Sequence, residues 1–263
     1  MQILDNYINL YDNINDKYHK SLFQRLGGIN MQSISFKDVV SIAKSAADVI
    51  CKQLEVKPNS LICIAAGHSS LPLCEELIAR YKDGQVDFSK AYFIAMDEWL
   101  HMNPSIPGSC GDFLNKHFLS HVNFPENHIR LFDGLAEDTT AECASVKEEI
   151  EKLGGFDIMI LGMGMNGHLA LNDPGTPFDS TVRVSEIDEV TKSVGTKYFT
   201  DAPQLSGGIT IGLKEICASK NIILIVFGDH KQEIIKKLLD SPATPDLPAS
   251  VLKTLPDAQF WYA

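Results

Sequence analysis

The chain has 263 residues, of which 44% are hydrophobic and 22% charged, and a formal net charge of −11 at pH 7. This length can bury a substantial core, and the composition is typical of a globular protein. The acidic balance argues against nucleic acid as a partner, because phosphate neutralisation dominates that binding. A small phosphorylated ligand stays open, since it needs only local positive charge and backbone donors.

Membrane and disulfide classes are disfavoured as well. No apolar run approaches the roughly 20 residues that span a bilayer, so we expect no membrane partner. Six cysteines are scattered without a C-x-x-C pair or metal-ligand spacing. The N-terminal residues show no secretory pattern. We therefore expect reduced thiols, a cytoplasmic location and no bound metal.

Residues 1–30 are polar, with apolar residues at Ile8, Tyr11 and Ile14, which predicts a helical arm for packing or for a homo-oligomer contact. From residue 31 onwards, apolar strands alternate with amphipathic helices. Helices are predicted at residues 36–54, 71–81, 110–119, 141–153 and 232–239. Strands are predicted at residues 61–66, 91–96, 156–161, 208–212, 221–227 and 259–262. We expect one three-layer α/β domain over residues 31–263, with a mostly parallel central sheet and helices on both faces.

The most informative stretch follows the predicted strand at residues 156–161. It contains three glycines within six residues and then a polar cluster of Asn166, His168, Asn172 and Asp173. In an open α/β sheet, ligands bind outside the carboxyl ends of the strands. A histidine beside an asparagine and an aspartate is a titratable group with orienting partners in reach. This pattern predicts the active-site loop of an enzyme.

The spacing Gly162-x-Gly164-x-x-Gly167 also matches the dinucleotide-binding fingerprint. That fingerprint requires a helix directly after the glycines. Pro174 and Gly175 end any helix within a few residues, because proline and glycine are helix breakers. The sequence therefore disfavours a dinucleotide site.

Two further strand ends carry groups that could bind or react. A turn of Gly67, His68, Ser69 and Ser70 enters a helix, and its N–H groups and hydroxyls suit a phosphate. The alternative is that one of the serines only caps the helix. Lys231 follows a later strand, where it could donate to a phosphate oxygen, although most lysines are merely solvated.

Asp97 and Glu98 emerge directly from an apolar strand. Isolated buried carboxylates are costly, so a half-buried one can have a raised pKa and act as a general base. In the alternative, Asp97 caps a turn and Glu98 faces water.

These features occur in one order along the chain: the Ser/Gly turn, M-D-E-W at 96–99, G-x-G-x-N-G-H-x-A-x-N-D-P at 162–174, and strand-Gly-x-x-Lys ending at 231. In this order they resemble the glucosamine-6-phosphate deaminase and isomerase family, whose superfamily includes 6-phosphogluconolactonase. The resemblance covers residues 33–263, which leaves the arm outside. The continuation Asn172-Asp173-Pro174 and the tail at 248–253 favour the amino-sugar branch.

The resemblance implies a Rossmann-like fold of the deaminase/isomerase type and a 2-amino-2-deoxyhexose 6-phosphate as substrate. The products are a ketohexose 6-phosphate and ammonia, and no metal or organic cofactor is implied. By the resemblance, Asp97 moves a proton between C2 and C1, His168 catalyses ring opening, and Asn166 and Asp173 orient His168. The implied phosphate-binding residues are His68, Ser69, Ser70, Lys197 and Lys231.

The chain departs from the family pattern at four of these positions. Many members have aspartate at the position of Asn166, glutamate at Asp173, arginine at Lys197 and a small hydroxyl residue at His68. A shift of about 1 Å in a catalytic group can cost on the order of a hundredfold in rate, and lysine cannot form the bidentate phosphate contact of arginine. These departures indicate a divergent subgroup, and they leave glucosamine 6-phosphate and galactosamine 6-phosphate both open.

Two rival hypotheses remain beside the deaminase. One is a 6-phosphogluconolactonase, a hydrolase in which His168 activates water and Asp97 is not needed as a carbon-acid base. The other is a sugar-phosphate-binding regulator without turnover, which the shorter Asp173 and Lys197 motivate. The regulator ranks last, because Asp97 and His168 are both retained.

Overall fold

A computed structural model describes residues 31–201 and 203–263, so the expected arm at residues 1–30 lies outside the described residues. The α-helices of the described residues are α1 Val39–Val56, α2 Leu71–Lys82, α3 Cys110–His117, α4 Thr139–Lys152, α5 Glu189–Gly195, α6 Leu213–Cys217 and α7 Gln232–Asp240. The strands are β1 Gln32–Ser35, β2 Leu61–Ile64, β3 Tyr92–Ile94, β4 Asp97–Trp99, β5 Ile129–Arg130, β6 Ile158–Leu161, β7 Arg183–Ser185, β8 Gly208–Thr210, β9 Ile222–Val226 and β10 Gln259–Tyr262. Single 3-10 turns include Thr196–Tyr198 after α5 and Asp229–Lys231 before α7.

The central sheet has seven parallel strands in the order β1-β10-β9-β6-β2-β3-β5. Its middle strands β2, β6 and β9 are buried at every residue, as expected for strands that are covered on both faces. The mostly parallel α/β sheet predicted from the sequence is confirmed. The strands β1 and β5 are not predicted by the sequence pattern, because they are short and only partly buried at the two edges of the sheet.

The strand order reverses direction between β2 and β6, which are neighbours in the sheet. From β2 the chain moves outward through β3 to β5, and it then returns to β6 and continues through β9 to β10 on the other side. Because parallel crossovers are right-handed, this reversal places α1, α2 and α3 on one face and α4 and α7 on the other. The packing of α1 against α2 agrees with this arrangement. Ligands of open α/β sheets bind at such a reversal point.

A second, antiparallel sheet of β4, β8 and β7 corrects the prediction of an unbroken strand at residues 91–96 leading into Asp97. The parallel strand β3 ends at Ile94, and the chain starts a new strand at Asp97, which pairs with Thr210. The physical reason is non-local, because a partner more than a hundred residues away decides the direction of β4. The predicted strand at 208–212 therefore lies in the second sheet, as β8.

A buried carboxylate fastens the amino ends of the central strands. Asp157 is 1% exposed and accepts hydrogen bonds from the Leu61 N–H at 2.9 Å and from Lys57 and Lys220 at 2.6 and 2.8 Å. It thereby joins the beginning of β2, the residue before β6 and the residues that follow α1 and α6. This cluster lies at the amino ends of the strands, whereas the polar loops lie at their carboxyl ends. In the part of the chain that is described, no helix has the length and apolar character needed to cross a membrane.

Candidate active site

A cavity of about 470 Å³ opens at the carboxyl ends of β2, β6 and β9, next to the point where the strand order reverses. The loops after these strands line it together with residues of β4, α5, the first residue of α3 and the 3-10 turn after α5. Six of the nine residues predicted for the site line this cavity: His68, Ser69, Asp97, His168, Lys197 and Lys231. Asn166 and Asp173 lie behind His168, and Ser70 lies behind the turn that carries Ser69.

The glycines after β6 leave room for the side chains of the site. A Cβ atom on Gly162 would lie 2.5 Å from the Ser69 hydroxyl, and one on Gly164 would lie 2.2 Å from the His168 ring. Gly167 has φ +87°, a conformation that side chains other than glycine rarely adopt. The glycines therefore let the backbone pass close to the side chains of Ser69 and His168. This close packing explains the spacing of the glycines without a bound dinucleotide.

His168 belongs to a buried hydrogen-bonded cluster. Its ring Nδ1 lies 3.0 Å from the Thr191 hydroxyl and 3.2 Å from Asp173 Oδ1. The backbone N–H of His168 donates to Asn166 Oδ1 at 3.1 Å. These contacts engage Nδ1 and hold the ring against Gly164. Within residues 31–201 and 203–263, Nε2 has no hydrogen-bond partner. The free nitrogen is therefore available to a ligand.

Asp173 is a buried and fully hydrogen-bonded carboxylate. Asn166 donates to its Oδ1 at 3.0 Å, Thr191 donates to the same oxygen at 2.6 Å, and the Asp188 N–H donates to Oδ2 at 2.7 Å. Burial raises the pKa of Asp173, but the hydrogen bonds from His168, Thr191 and the Asp188 N–H outweigh burial and lower the pKa to about 2. Asp173 therefore stays ionised at neutral pH and places a negative charge 3.2 Å from His168 Nδ1.

Asp97 is half-buried in the cavity wall at the beginning of β4. Burial raises its pKa to about 7, the charge of Glu98 adds to this effect, and a hydrogen bond from the Cys110 thiol and the charge of His168 oppose it. A carboxyl group with a pKa near neutrality can both take up and release a proton, which is the property that a general base needs.

Glu98 does not face water, so that alternative is wrong. Its side chain is 1% exposed and accepts hydrogen bonds from the N–H groups of Trp99, Cys110 and Gly111 at 2.8, 3.0 and 2.9 Å. Burial raises its pKa, although these backbone hydrogen bonds oppose the shift. Glu98 thus fastens β4 to the first turn of α3 and fixes the position of Asp97 next to Cys110.

The turn after β2 also lines the cavity. His68 is exposed there, its Nδ1 lies 3.1 Å from the Tyr198 hydroxyl, and the two rings stack at 5.1 Å. Ser70 does not cap α2 with its side chain. Its hydroxyl donates to the Gly67 carbonyl at 2.8 Å, which holds the turn and leaves the Ser69 hydroxyl on the cavity.

Two lysines line the cavity as well. Lys231 is half-buried, donates to the Met163 carbonyl at 2.7 Å, and has a pKa lowered by burial. Lys197 is exposed, in the 3-10 turn after α5. Together with the turn at Ser69, these cations make the cavity suited to an anion.

Three residues of the site are not predicted from the sequence: Thr191, Asp188 and Tyr198. Asp188 caps α5 by accepting from the Thr191 N–H at 2.7 Å, and its other oxygen accepts from Asn166 at 2.7 Å. An aspartate just before a helix is a recognisable cap in the sequence. Its contact with Asn166 is not recognisable there, because 22 residues separate the two side chains.

Among residues 31–201 and 203–263, no group of three or more histidine, cysteine, aspartate or glutamate side chains is arranged to hold a metal ion.

Comparison with known proteins gives relatives over most of the chain. A family model described as glucosamine-6-phosphate isomerases/6-phosphogluconolactonase matches residues 37–261. A glucosamine-6-phosphate deaminase of Lysinibacillus sphaericus is 37% identical over 233 residues, which are 88% of this chain and 98% of the relative. Glucosamine-6-phosphate deaminase 2 of Bacillus subtilis is 34% identical over 215 residues, 81% of this chain and 86% of the relative.

Solved structures share the fold. The structure of a monomeric glucosamine-6-phosphate deaminase matches with a TM-score of 0.85 at 27% identity, over 88% of this chain and 97% of that one. A 6-phosphogluconolactonase from Thermotoga maritima matches with a TM-score of 0.71 at 20% identity, over 88% and 98% of the two chains. The family model covers all of the elements that line the cavity. The chain belongs to the glucosamine-6-phosphate isomerase/6-phosphogluconolactonase family.

Proposed function

We propose that this chain is an amino-sugar 6-phosphate isomerase and deaminase, which converts glucosamine 6-phosphate or galactosamine 6-phosphate to the ketohexose 6-phosphate and ammonia. The observation that carries this proposal is the Asp97 carboxyl group, half-buried in the wall of the same cavity as His168 and with a pKa of about 7. The relatives named glucosamine-6-phosphate deaminase support an amino-sugar substrate.

His168 opens the sugar ring in this mechanism. Its free Nε2 relays a proton between the C1 hydroxyl and the ring oxygen, and Asp173 stabilises the imidazolium that forms during the transfer. Asn166 donates hydrogen bonds to both Asp173 and Asp188, and these bonds fix the Asp173 carboxylate beside His168.

Asp97 then isomerises the open chain. Its carboxylate takes the proton from C2 while the C1 oxygen gains the proton that the C2 ammonium group gives up, which gives an enolamine, and the carboxylic acid then returns a proton to C1. The C2 amine becomes an iminium group that water hydrolyses, which leaves the ketone at C2 and releases ammonia. A carboxyl group that changes protonation near neutral pH can perform both halves of this transfer.

The substrate phosphate occupies the end of the cavity that carries Ser69, Lys197 and Lys231. The Ser69 hydroxyl donates a hydrogen bond to the phosphate, and the two lysines supply positive charge. His68 holds the turn in place through its contact with the Tyr198 hydroxyl. Ser70 contributes by holding the turn through its hydrogen bond to Gly67.

The rival hydrolase makes a different demand on the site. In a 6-phosphogluconolactonase, His168 would activate water and no proton would leave carbon, so the raised pKa of Asp97 would have no use. The lactonase structure from Thermotoga maritima shows the shared fold at 20% identity and does not favour this activity.

The test is a parallel assay of purified protein with glucosamine 6-phosphate, galactosamine 6-phosphate and 6-phosphogluconolactone. Release of ammonia from one or both sugars, at a rate well above lactone hydrolysis, is expected and also identifies the preferred epimer. Hydrolysis of the lactone without ammonia release would replace the proposal by the hydrolase. Saturable binding of the sugars without turnover of any compound would replace it by the regulator.

Three wider properties are proposed with the activity. We place residues 31–263 in one catalytic domain, which the family match at 37–261 supports. A cytoplasmic location is supported by the six cysteines, all of which lie in the described residues as free thiols. The third property is a homo-oligomer formed through residues 1–30, which sedimentation of the purified protein tests. The related deaminase with a solved structure is monomeric.

A further inference from the structure

Thr191 occupies an unusual place between the two groups that determine the state of the proposed ring-opening histidine. Its side chain is 2% exposed, and its hydroxyl oxygen lies 2.6 Å from Asp173 Oδ1 and 3.0 Å from His168 Nδ1. Asn166 Nδ2 lies 3.3 Å from the same oxygen. The hydroxyl therefore has three polar neighbours, although it has only one proton to donate.

The donor and acceptor properties of the three neighbours determine which of them receives the Thr191 hydroxyl proton. Asp173 is an ionised carboxylate and accepts only, so the short contact at 2.6 Å requires Thr191 to be the donor. The Asn166 amide nitrogen donates only. The Thr191 oxygen must then accept from His168, which requires a proton on Nδ1 of the imidazole.

We propose that Thr191 is a positioning residue that fixes the Nδ1–H tautomer of neutral His168 and thereby keeps the lone pair of Nε2 directed at the cavity. The second contact of Nδ1, to Asp173 at 3.2 Å, is longer than the contact with Thr191 and requires the same proton. The kinetic consequence of this proposal rests on the proposed function, whereas the tautomer itself does not.

The position of Thr191 explains how the ring is held from outside its own loop. Thr191 lies in the first turn of α5, and its N–H donates to the capping carboxylate of Asp188 at 2.7 Å. The Asp188 N–H in turn donates to Asp173. The beginning of α5 and the histidine loop are thus joined by a closed ring of hydrogen bonds, and Thr191 is its member next to His168.

The first measurement is nitrogen-15 NMR of the unliganded protein on the alkaline side of the His168 titration, where the signals of the ring no longer change with pH and the ring is neutral. The His168 signals are assigned by their loss in His168→Gln. We expect a protonated Nδ1 and an unprotonated Nε2. A protonated Nε2 in the wild-type protein would overturn the proposal without any activity assay.

The second measurement compares Thr191→Val, which lacks the hydroxyl at nearly the same volume, with Thr191→Ser, which keeps it. The valine variant should contain a mixture of both tautomers and lose roughly tenfold to a hundredfold in kcat, with a small change in KM, because an oriented catalytic group is displaced. The serine variant should recover the single tautomer and most of kcat. Thr191→Ala replaces the valine variant if that one does not fold.

The tautomer of His168 and the deaminase activity are tested by different results. A valine variant with the Nδ1–H tautomer alone and kcat within about twofold of wild type would show that Asp173 suffices, which overturns the role of Thr191. Absence of ammonia release from the wild-type protein would overturn the proposed function, and the NMR result on Thr191 would stand or fall independently.

Discussion

Single residues of this chain derive their chemistry from a few neighbours each. Asp97 and Asp173 are both carboxyl groups at the same cavity, yet burial raises the pKa of Asp97 to about 7 while hydrogen bonds lower that of Asp173 to about 2. Two like groups with pKa values far apart can act as proton carrier and permanent charge. The resemblance of the sequence assigns these two roles, but the sequence does not show what lowers the pKa of Asp173, because that depends on hydrogen bonds from Thr191 and the Asp188 N–H.

The pH dependence of activity follows from Asp97. Its raised pKa means that the carboxyl group is protonated below about pH 7 and becomes a base above it, so kcat/KM should rise as the pH passes through this value. Carbon-13 NMR of the aspartate carboxyl groups, with Asp97→Asn to assign the signal, separates this titration from that of the substrate phosphate near pH 6. An Asp97 signal that titrates near its ordinary value of about 4 would contradict this assignment.

Gly164 tests the fit of the histidine ring. In Gly164→Ala the new Cβ would lie 2.2 Å from the His168 ring, so the ring must move, and we expect kcat to fall about a hundredfold. Gly154→Ala is the control, because Gly154 has φ +81° and open space around it, and it precedes β6 whereas the loop follows that strand. The control should lose about 1 kcal/mol of stability and keep its kcat. Equal kcat values in the two variants would contradict the packing described here.

The elements show where local sequence patterns suffice and where they fail. The helix cap at Asp38 is local, and the structure places the start of α1 one residue after it, although the sequence predicts a start at residue 36. The direction of β4 and the contacts of α5 are non-local, since Asp97 pairs with Thr210 and Thr191 meets His168. Patterns of one segment contain no information about partners that are chosen only when the chain folds.

The cap of α5 should affect activity as well as stability. Asp188→Ala removes the acceptor of the Thr191 N–H and of Asn166, so we expect a loss of about 1 kcal/mol of stability and a lower kcat. Asp138→Ala is the matched control, because Asp138 caps α4 by accepting from the N–H groups of Thr140 and Ala141. Urea unfolding should show similar losses in both variants, with kcat reduced only in Asp188→Ala. A lower kcat in both variants would show that capping acts through general stability.

The molecule as a whole separates stability from chemistry across its sheet. The polar loops meet at the carboxyl ends of the strands, and the Asp157 cluster lies at the amino ends. The sequence predicts the site loops because each follows an apolar strand. It does not predict which loops become neighbours, since the reversal between β2 and β6 depends on the strand order of the complete sheet.

Asp157→Asn should therefore destabilise the protein without changing its chemistry. Burial raises the pKa of Asp157, but hydrogen bonds from Lys220, Lys57 and Leu61 outweigh burial and lower it, so the ionised group stabilises the fold. We expect a loss of about 1–3 kcal/mol at pH 7 and an unchanged kcat. Because the pKa in the folded state is below the ordinary value of 3.8, the stabilisation is lost as the pH falls through that range, and the difference between the two proteins should shrink. Urea unfolding of both proteins at pH 7 and at a pH below 3.8 measures this difference in stability. A changed kcat in Asp157→Asn would contradict the separation of stability from chemistry.

The most direct measurement on the proposed activity is the rate of ammonia release from the preferred amino-sugar 6-phosphate by wild-type protein and by Asp97→Asn at saturating substrate. General base catalysis contributes about a hundredfold to ten-thousandfold, so the asparagine variant should lose at least a hundredfold in kcat while it still binds the sugar phosphate. A variant that releases ammonia within about tenfold of the wild-type rate would contradict the role of Asp97 as the base that moves the C2 proton.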